Sequence, residues 1–205
     1  MVAWAGLGLL AACVLIGVLV TWVGAPPFDL WLTEHLDSWR SGPAGDVFVA
    51  ATRVGYTTWL GPICAVLALV LGLARRSFRA GLLVLAATPV AALVTLLLKR
   101  WFDRPRPNLA QFEPTHGFSM PSGHAASSMA FAMSLVLAVP AGRPRRWTMA
   151  IAGLFTGIVG LSRVVLGVHW TSDVIAGWCE GAGVALLLAF VLGWGLPRDT
   201  APDIR

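Results

Sequence analysis

The sequence predicts an all-α, polytopic membrane protein: a bundle of six transmembrane helices with a short interfacial helix after the first span. Two observations lead to this fold class. Of the 205 residues 57% are hydrophobic and 12% are charged, with a mean hydropathy of +0.76, whereas a soluble domain carries roughly twice that share of charge. The charged residues are also confined to segments that separate long uncharged runs. Lipid is therefore the expected solvent for most of the chain.

The uncharged runs define the spans. The first run, from Val2 to Val23, is long enough to cross a hydrocarbon core of about 30 Å at 1.5 Å per residue, and we expect it to be a retained span rather than a signal peptide. Tryptophans near several span ends are typical of an aromatic belt. The predicted spans are residues 2–23, 54–74, 80–98, 124–142, 147–165 and 173–194, all within one domain of residues 1–205.

The linker after the first span carries an apolar stripe at nearly helical spacing, with charged residues largely off that stripe. The stripe consists of Phe28, Leu32, Leu36 and Trp39. The charged residues are Asp29, Glu34, Asp37 and Arg40. This pattern predicts a short helix that lies in the membrane interface; a plain polar loop is the alternative. His35 belongs to the same element and is expected to be solvated.

Charge and cysteine usage exclude some functions. The formal net charge of +5 comes from arginines scattered between apolar runs, which favours contact with anionic lipid and argues against nucleic-acid binding. Cys13, Cys64 and Cys179 lie in apolar runs without the spacing of a metal site. We therefore expect neither a metal nor a cofactor.

One stretch combines a cation, an imidazole and a carboxylate in a chain that is otherwise apolar. Arg163 precedes His169 by six residues, and Asp173 follows His169 by four. If this stretch is helical, residues i and i+4 share a face, so the carboxylate can orient one ring nitrogen and leave the other as a nucleophile or base. A guanidinium matches phosphate oxygens two at a time. The stretch therefore predicts chemistry on an anionic substrate.

Two further polar segments fall on the same predicted membrane face. They contain Lys99 with Arg106, and Ser122 with Gly123 and His124. Lys99, Arg106 and Arg163 would repel one another unless an anion lies between them, and phosphate is the obvious choice. Ser122 offers a hydroxyl, and Gly123 lets backbone amides approach closely.

These groups suggest a double displacement. His169, oriented by Asp173, would attack phosphorus, and His124 would protonate the leaving oxygen, a step typically worth about 10²- to 10⁴-fold in rate. Water would then hydrolyse the phosphohistidine with His124 as base. The cations and amides would stabilise the transferred group.

The spacing of these residues resembles a known family. Lys99 with Arg106-Pro107 fits KxxxxxxRP, residues 121–124 read PSGH, and residues 162–173 fit SRxxxxxHxxxD. The chain is similar to membrane-bound type 2 phosphatidic acid phosphatases, in the superfamily of vanadium haloperoxidases and undecaprenyl diphosphate phosphatases. The resemblance implies a metal-free six-helix fold, with His169 as nucleophile, Asp173 as its partner and His124 as acid. It also implies phosphate binding by Lys99, Arg106, Ser122, Gly123 and Arg163.

Individual residues keep simpler alternatives. Lys99 alone would be an ordinary cation at a span end, Arg104 is expected at the surface or against a headgroup, and His116 is expected to be solvated. Asp173 can cap the last span while it orients His169. Glu180 lies in an apolar span, so it must point inward, paired or protonated, or reach a headgroup; a structural role is the favoured interpretation.

The leading prediction is a phosphatase for a lipid phosphate or diphosphate that enters from the bilayer. A lipid phosphotransferase with a hydroxyl acceptor, a haloperoxidase and a transporter with a degenerate site are the alternatives. The numbers of Lys and Arg residues on the two predicted faces of the membrane are nearly equal. When Lys99, Arg106 and Arg163 are set aside as site residues, the remaining count favours cytoplasmic termini and an extracytoplasmic site.

Overall fold

The computed structural model describes residues 1–40, 42–107 and 117–193, and every regular element in these ranges is helical. His116 and Trp194, for which predictions are made above, lie outside the described residues. The elements are α1 (Val2–Val18, continued by a π-helical turn, Leu19–Val23), α2 (Pro27–His35), a 3-10 turn (Asp37–Trp39), α3 (Gly42–Val54), α4 (Thr57–Ala74), α5 (Phe78–Phe102), α6 (Gly123–Ala138), α7 (Arg143–Val165) and α8 (Thr171–Val191).

Four of the described helical segments are long and apolar enough to cross a membrane: Val2–Val23, Phe78–Phe102, Arg143–Val165 and Thr171–Val191. The helices α3 and α4, bent by 49° at their junction, form a fifth candidate if they are one span. Helix α6 is apolar but has only 16 residues, fewer than the roughly 20 that a full crossing needs. The chain is a multi-pass membrane protein, but six full-length spans are not confirmed.

Several helices begin or end up to one turn away from the predicted spans. Helix α7 begins at Arg143, four residues before the predicted span 147–165. Pro144 suits that position because the first amides of a helix have no intrahelical acceptor. Helix α4 begins at Thr57 rather than at residue 54, because a separate helix occupies the residues before it.

The linker after α1 differs most from its prediction. It forms two helices, α2 and α3, instead of one, and its charged residues do not all face outward. Arg40 is buried and donates hydrogen bonds from Nε to the Val165 carbonyl and from Nη2 to the Thr33 carbonyl, both at 2.8 Å. Asp29 is also buried. Both charges are satisfied by partners inside the protein, which is why a solvent-facing interpretation fails.

Helices α6 and α8 pack with their backbones in contact. A Cβ added to Gly177 would lie 2.5 Å from the Ser122 carbonyl oxygen, and one added to Gly181 would lie 2.2 Å from that of Ala126. Both approaches are too close for any side chain, so the two glycines, one turn apart, let the helices meet. This contact brings the start of α6 beside the start of α8.

The polar ends of the helices gather at one end of the bundle. The end of α5, the start of α6, the end of α7 and the start of α8 lie there, and α2 and α3 pack against them. For example, the Ser122 amide donates to the Asp173 carbonyl at 2.9 Å. The three segments that the sequence places on one membrane face therefore come together in space.

Candidate active site

His169 and Asp173 form the centre of the site, although not within one helix. His169 lies in the turn between α7 and α8, and Asp173 lies in the first turn of α8. The Nδ1 of His169 is 3.4 Å from Asp173 Oδ2, and the same oxygen accepts the Trp170 amide at 3.0 Å. Asp173 thus caps α8 and contacts His169, as expected, but a turn rather than helical spacing produces the contact.

The surrounding donors define the tautomer of His169. Nη1 of Arg106 lies 3.2 Å from His169 Nε2, and a guanidinium N–H can only donate. Arg106 therefore favours the tautomer in which Nε2 accepts and the proton lies on Nδ1, directed at Asp173. Nε2 carries the lone pair and points toward the cations.

Charge and burial both favour the neutral imidazole. His169 is 2% exposed, and burial lowers its pKa well below the usual value, helped by the positive charges of Lys99, Arg106 and Arg163. Burial and the neighbouring Arg163 also lower the pKa of the Arg106 guanidinium. An unprotonated imidazole beside three cations is the form that a nucleophile requires.

Lys99 and Arg106 are held by backbone carbonyls of the segment before α6. Lys99 Nζ donates to the carbonyls of Phe118 at 2.6 Å and Ser119 at 3.2 Å. Arg106 donates to the carbonyls of Gly117 at 3.1 Å and Phe118 at 3.3 Å, and Nη1 donates to the Val168 carbonyl at 2.6 Å. Carbonyls orient these cations without cancelling their charge.

Arg163 completes the cationic cluster from the last turn of α7. It is 2% exposed, and its Nη1 donates to the hydroxyl of Thr52 on α3. Arg163 therefore lies inside the bundle. The contact with α3 was not foreseen, because that helix was not predicted.

Ser122, Gly123 and His124 form the start of α6, where Ser122 is the N-cap. The first amides of a helix lack intrahelical acceptors and carry the positive end of its dipole, an arrangement that suits an anion. Within the part of the chain that the structure describes, Ser122 Oγ and His124 Nε2 are buried without a hydrogen-bond partner. Buried polar atoms are rarely left so, which fits a role toward substrate.

His124 is oriented by an aromatic ring and borders a cavity. The ring of Tyr56 contacts it edge-on, with 4.7 Å between ring centroids. A cavity of about 220 Å³ extends beside it into the bundle. His169 and the three cations are within electrostatic range of His124. The cavity is lined by Gly55, Ala92, Thr95, Gly123, His124 and Ser127.

Arg104 lies in the interior, so its predicted surface position is wrong. It is 3% exposed, and its Nη1 donates to Asp173 Oδ1 at 2.6 Å and to Ser172 Oγ at 2.8 Å. Its Nη2 donates to Asp29 Oδ2 at 3.0 Å. Asp29 also accepts the amide and the hydroxyl of Ser172, at 2.8 Å and 2.5 Å. One guanidinium therefore joins α2 to the carboxylate that contacts His169.

Glu180 points inward, which excludes the headgroup alternative. It is fully buried in α8, and its Oε1 accepts the hydroxyl of Thr95 at 2.7 Å. Thr95 also lines the cavity beside His124. Glu180 therefore reaches the site through Thr95, whose side chain forms part of the cavity wall.

Sequence reasoning missed Asp29, Thr52, Tyr56 and Arg104. Arg104 had a usable signal: it stands two residues before Arg106 in the run RPRP. Asp29 and Thr52 lie in the linker helices and Tyr56 lies in the turn between α3 and α4. All three are more than 40 residues from any recognised motif, and no local pattern links them to the site. Among the described residues no group of three or more His, Cys, Asp or Glu side chains is arranged to hold a metal ion.

Comparison with known proteins agrees with this geometry. The PAP2 superfamily matches residues 80–195 of the chain. The chain is 32% identical over 152 residues to phosphatidylglycerophosphatase B of Bacillus subtilis, which covers 72% of each protein. It is also 33% identical over 137 residues to lipid A 1-phosphatase of Rhizobium etli, which covers 56% of each.

A solved structure gives the same result for the fold. The crystal structure of a transmembrane PAP2-type phosphatidylglycerolphosphate phosphatase from Bacillus subtilis superposes with a TM-score of 0.77 at 25% identity. The match covers 92% of this chain and 96% of the other. The family match over residues 80–195 includes Lys99, Arg106, His124, His169 and Asp173, which the fold brings together. The chain therefore belongs to the PAP2 superfamily.

Proposed function

We propose that this protein is a membrane lipid phosphatase, which hydrolyses a lipid phosphate or diphosphate through a phosphohistidine intermediate. The observation that carries the proposal is the position of a neutral His169, with its Nε2 lone pair beside Arg106 and its Nδ1 on Asp173. The relatives are named as phosphatases of phosphorylated lipids, which supports the same substrate class here.

In the first step, His169 Nε2 attacks phosphorus and the bond to the lipid oxygen breaks. Lys99, Arg106 and Arg163, together with Ser122 and the amides at the start of α6, bind the equatorial oxygens of the transferred group. Such preorganised donors stabilise the charge that develops in the transition state. As the imidazole gains positive charge, the Asp173 carboxylate stabilises it through Nδ1.

His124 serves the leaving group and then the attacking water. It donates its proton to the departing lipid oxygen in the first step, and the negative charge of the bound substrate, which offsets the three cations, favours the protonated His124 that this step needs. In the second step it accepts a proton from water, which attacks the phosphohistidine and releases inorganic phosphate and free His169. The cavity that His124 lines is proposed to receive the leaving group. No step requires a metal ion.

The substrate is proposed to arrive laterally from the bilayer, its headgroup in the cationic cluster and its chain between helices. Phosphatidate, phosphatidylglycerol phosphate and polyprenyl diphosphates all meet this requirement. With Lys99, Arg106 and Arg163 set aside as site residues, the remaining Lys and Arg favour a site on the extracytoplasmic face with cytoplasmic termini. Single cysteines placed at Ser38 and Ala141, in a background without the three native cysteines, test this with a membrane-impermeant thiol reagent. Labelling of the first alone in intact cells supports the orientation, and labelling of the second alone reverses it.

Phosphate release by the purified protein tests the activity. A panel of lipid monophosphates and diphosphates is presented in detergent, with His169→Ala as the blank and EDTA in a parallel series. We expect release from at least one lipid, unchanged by EDTA and absent in the variant. Release that persists in His169→Ala, or no release from any lipid, would overturn the proposal. A phosphorylated product that forms from an added hydroxyl acceptor, without release of inorganic phosphate, would identify a phosphotransferase instead.

A further inference from the structure

We infer that Arg104 and Asp29 are positioning residues of this site: Arg104, held between two buried carboxylates, keeps Asp173 aligned with His169 and supplies its counter-charge, and Asp29 fixes Arg104 from α2. The inference rests on the proposed function, because the alignment of His169 matters only if His169 reacts. Neither residue belongs to the three motifs, and neither is among those expected to bind phosphate.

The hydrogen bonds of Arg104 define its orientation. Its two terminal nitrogens point to different carboxylates, Nη1 to Asp173 at 2.6 Å and Nη2 to Asp29 at 3.0 Å. Its guanidinium also lies over the ring of Trp170, 5.4 Å from the centroid. A planar guanidinium held at three points cannot turn toward substrate without breaking these contacts. This separates Arg104 from Arg106, which reaches His169 Nε2.

Asp173 divides its two oxygens between different tasks. Oδ1 accepts from Arg104, whereas Oδ2 accepts the Trp170 amide and faces His169 Nδ1. With Oδ1 held, the carboxylate cannot rotate, so Oδ2 stays directed at the imidazole. Asp29 accepts three hydrogen bonds, two from Ser172 and one from Arg104. It thereby joins α2 to the residue immediately before Asp173.

Charge balance gives this arrangement a second consequence. Asp29 and Asp173 are both fully buried, and the guanidinium of Arg104 lies between them as the counter-charge that both carboxylates contact. Removal of the guanidinium would leave Asp173 without its cation at Oδ1, which favours the protonated form, and a protonated Asp173 no longer stabilises a positively charged His169. Several other groups also face Asp173 and contribute to its charge state. They are Lys99 and Arg106, whose charges act on it, and His169.

The test is a charge-balance cycle with Arg104→Gln, Asp29→Asn and the double variant. Activity is measured as kcat and as kcat/KM against pH, on a lipid that the wild type hydrolyses. We expect Arg104→Gln to lower kcat by about 10- to 100-fold, as for outer partners of reacting groups. The acid limb in the pH profile of Arg104→Gln should shift to higher pH by about one unit or more, because loss of a neighbouring cation raises the proton affinity of a carboxylate. The double variant should recover part of the activity and return the limb toward the wild type.

Conservative and matched variants separate charge from packing. Arg104→Lys keeps the positive charge but loses the two terminal nitrogens that bind the two carboxylates. The kcat of this variant should therefore fall, while the acid limb of its pH profile stays at the wild-type pH. Arg100→Gln at the end of α5 and Glu34→Gln in α2 remove exposed charges close in sequence to Arg104 and Asp29 and should leave both quantities unchanged. An unmoved acid limb in Arg104→Gln, or a double variant whose loss is the product of the single losses, would reduce Arg104 and Asp29 to structural residues.

A measurement without substrate keeps this inference separate from the proposed function. Nitrogen NMR of histidine-labelled protein should show His169 as the Nδ1–H tautomer in the wild type and a mixture of tautomers in Arg104→Gln. The same tautomer in both proteins would overturn the inference. If the wild type released phosphate from no lipid, the proposed function would fail while the tautomer test still stood.

Discussion

The contact between α6 and α8 should set the alignment of the two halves of the site, and Gly177→Ala tests this. The new Cβ would lie 2.5 Å from the Ser122 carbonyl oxygen and 3.1 Å from the Ala126 amide nitrogen, both backbone atoms of α6. Real Cβ atoms essentially never approach below 3.0 Å, so the helices must separate by at least about half an ångström. Overpacking of this kind typically costs about 1–3 kcal/mol.

The separation would act directly on the chemistry. The start of α6 lies against the start of α8, where the Ser122 amide donates to the Asp173 carbonyl at 2.9 Å. Separation of the two helices would therefore move Ser122 and His124 together away from His169. A misplacement of about 1 Å can cost about 10²-fold in rate, and we expect kcat to fall by about 10- to 100-fold. The melting temperature in detergent should fall as well.

The control for this substitution is Gly157→Ala on α7, where a Cβ meets no heavy atom within 4 Å. Alanine favours a helix over glycine by up to about 1 kcal/mol, so this variant should be fully active and at least as stable as the wild type. Gly177→Ala protein with wild-type kcat would refute the idea that the α6–α8 contact aligns the site.

Three further predictions concern individual side chains. Burial and three cations lower the pKa of His169, so the imidazole stays neutral as the pH falls through 6.5. The acid limb in the pH profile of kcat/KM should therefore lie below pH 6.5. A limb at or above pH 6.5 would contradict the environment assigned to His169. Thr52→Val removes one hydrogen bond to Arg163, worth about 0.5–1.5 kcal/mol, so kcat/KM should fall roughly 2- to 10-fold. The control, Thr58→Val at an exposed position of α4, should leave kcat/KM unchanged. Equal effects of the two substitutions would show that Thr52 does not belong to the site. Glu180→Gln keeps an acceptor for the Thr95 hydroxyl and should retain activity within about threefold, whereas a hundredfold loss at unchanged expression would give Glu180 a part in the chemistry.

The cationic cluster and the histidines could be predicted from the sequence because their residue types are rare in an apolar chain. Lys99, Arg106, Arg163 and His169 stand at the ends of uncharged runs, and helices that alternate between two membrane faces bring such ends together. The i, i+4 spacing also predicted the contact between His169 and Asp173. The helix assumed for it was wrong, because a short turn closes the same distance.

The linker helices could not be predicted in the same way. Helix α3 begins GPAG, which is a turn signal by composition, yet Pro43 occupies an early helical position where proline is tolerated. Asp29 was assigned to a solvated face because charged residues usually lie there. Its partner Arg104 is 75 residues away in the sequence, and no local pattern connects an acid to a cation at that distance.

The stereochemistry of hydrolysis at phosphorus tests the phosphohistidine most directly. A lipid thiophosphate monoester, made chiral with oxygen isotopes, is hydrolysed in water that carries the third isotope, and the configuration of the released thiophosphate is determined. Each in-line displacement inverts phosphorus, so attack by His169 followed by attack of water predicts overall retention. Overall inversion would show that water attacks the substrate directly and that His169 forms no covalent intermediate.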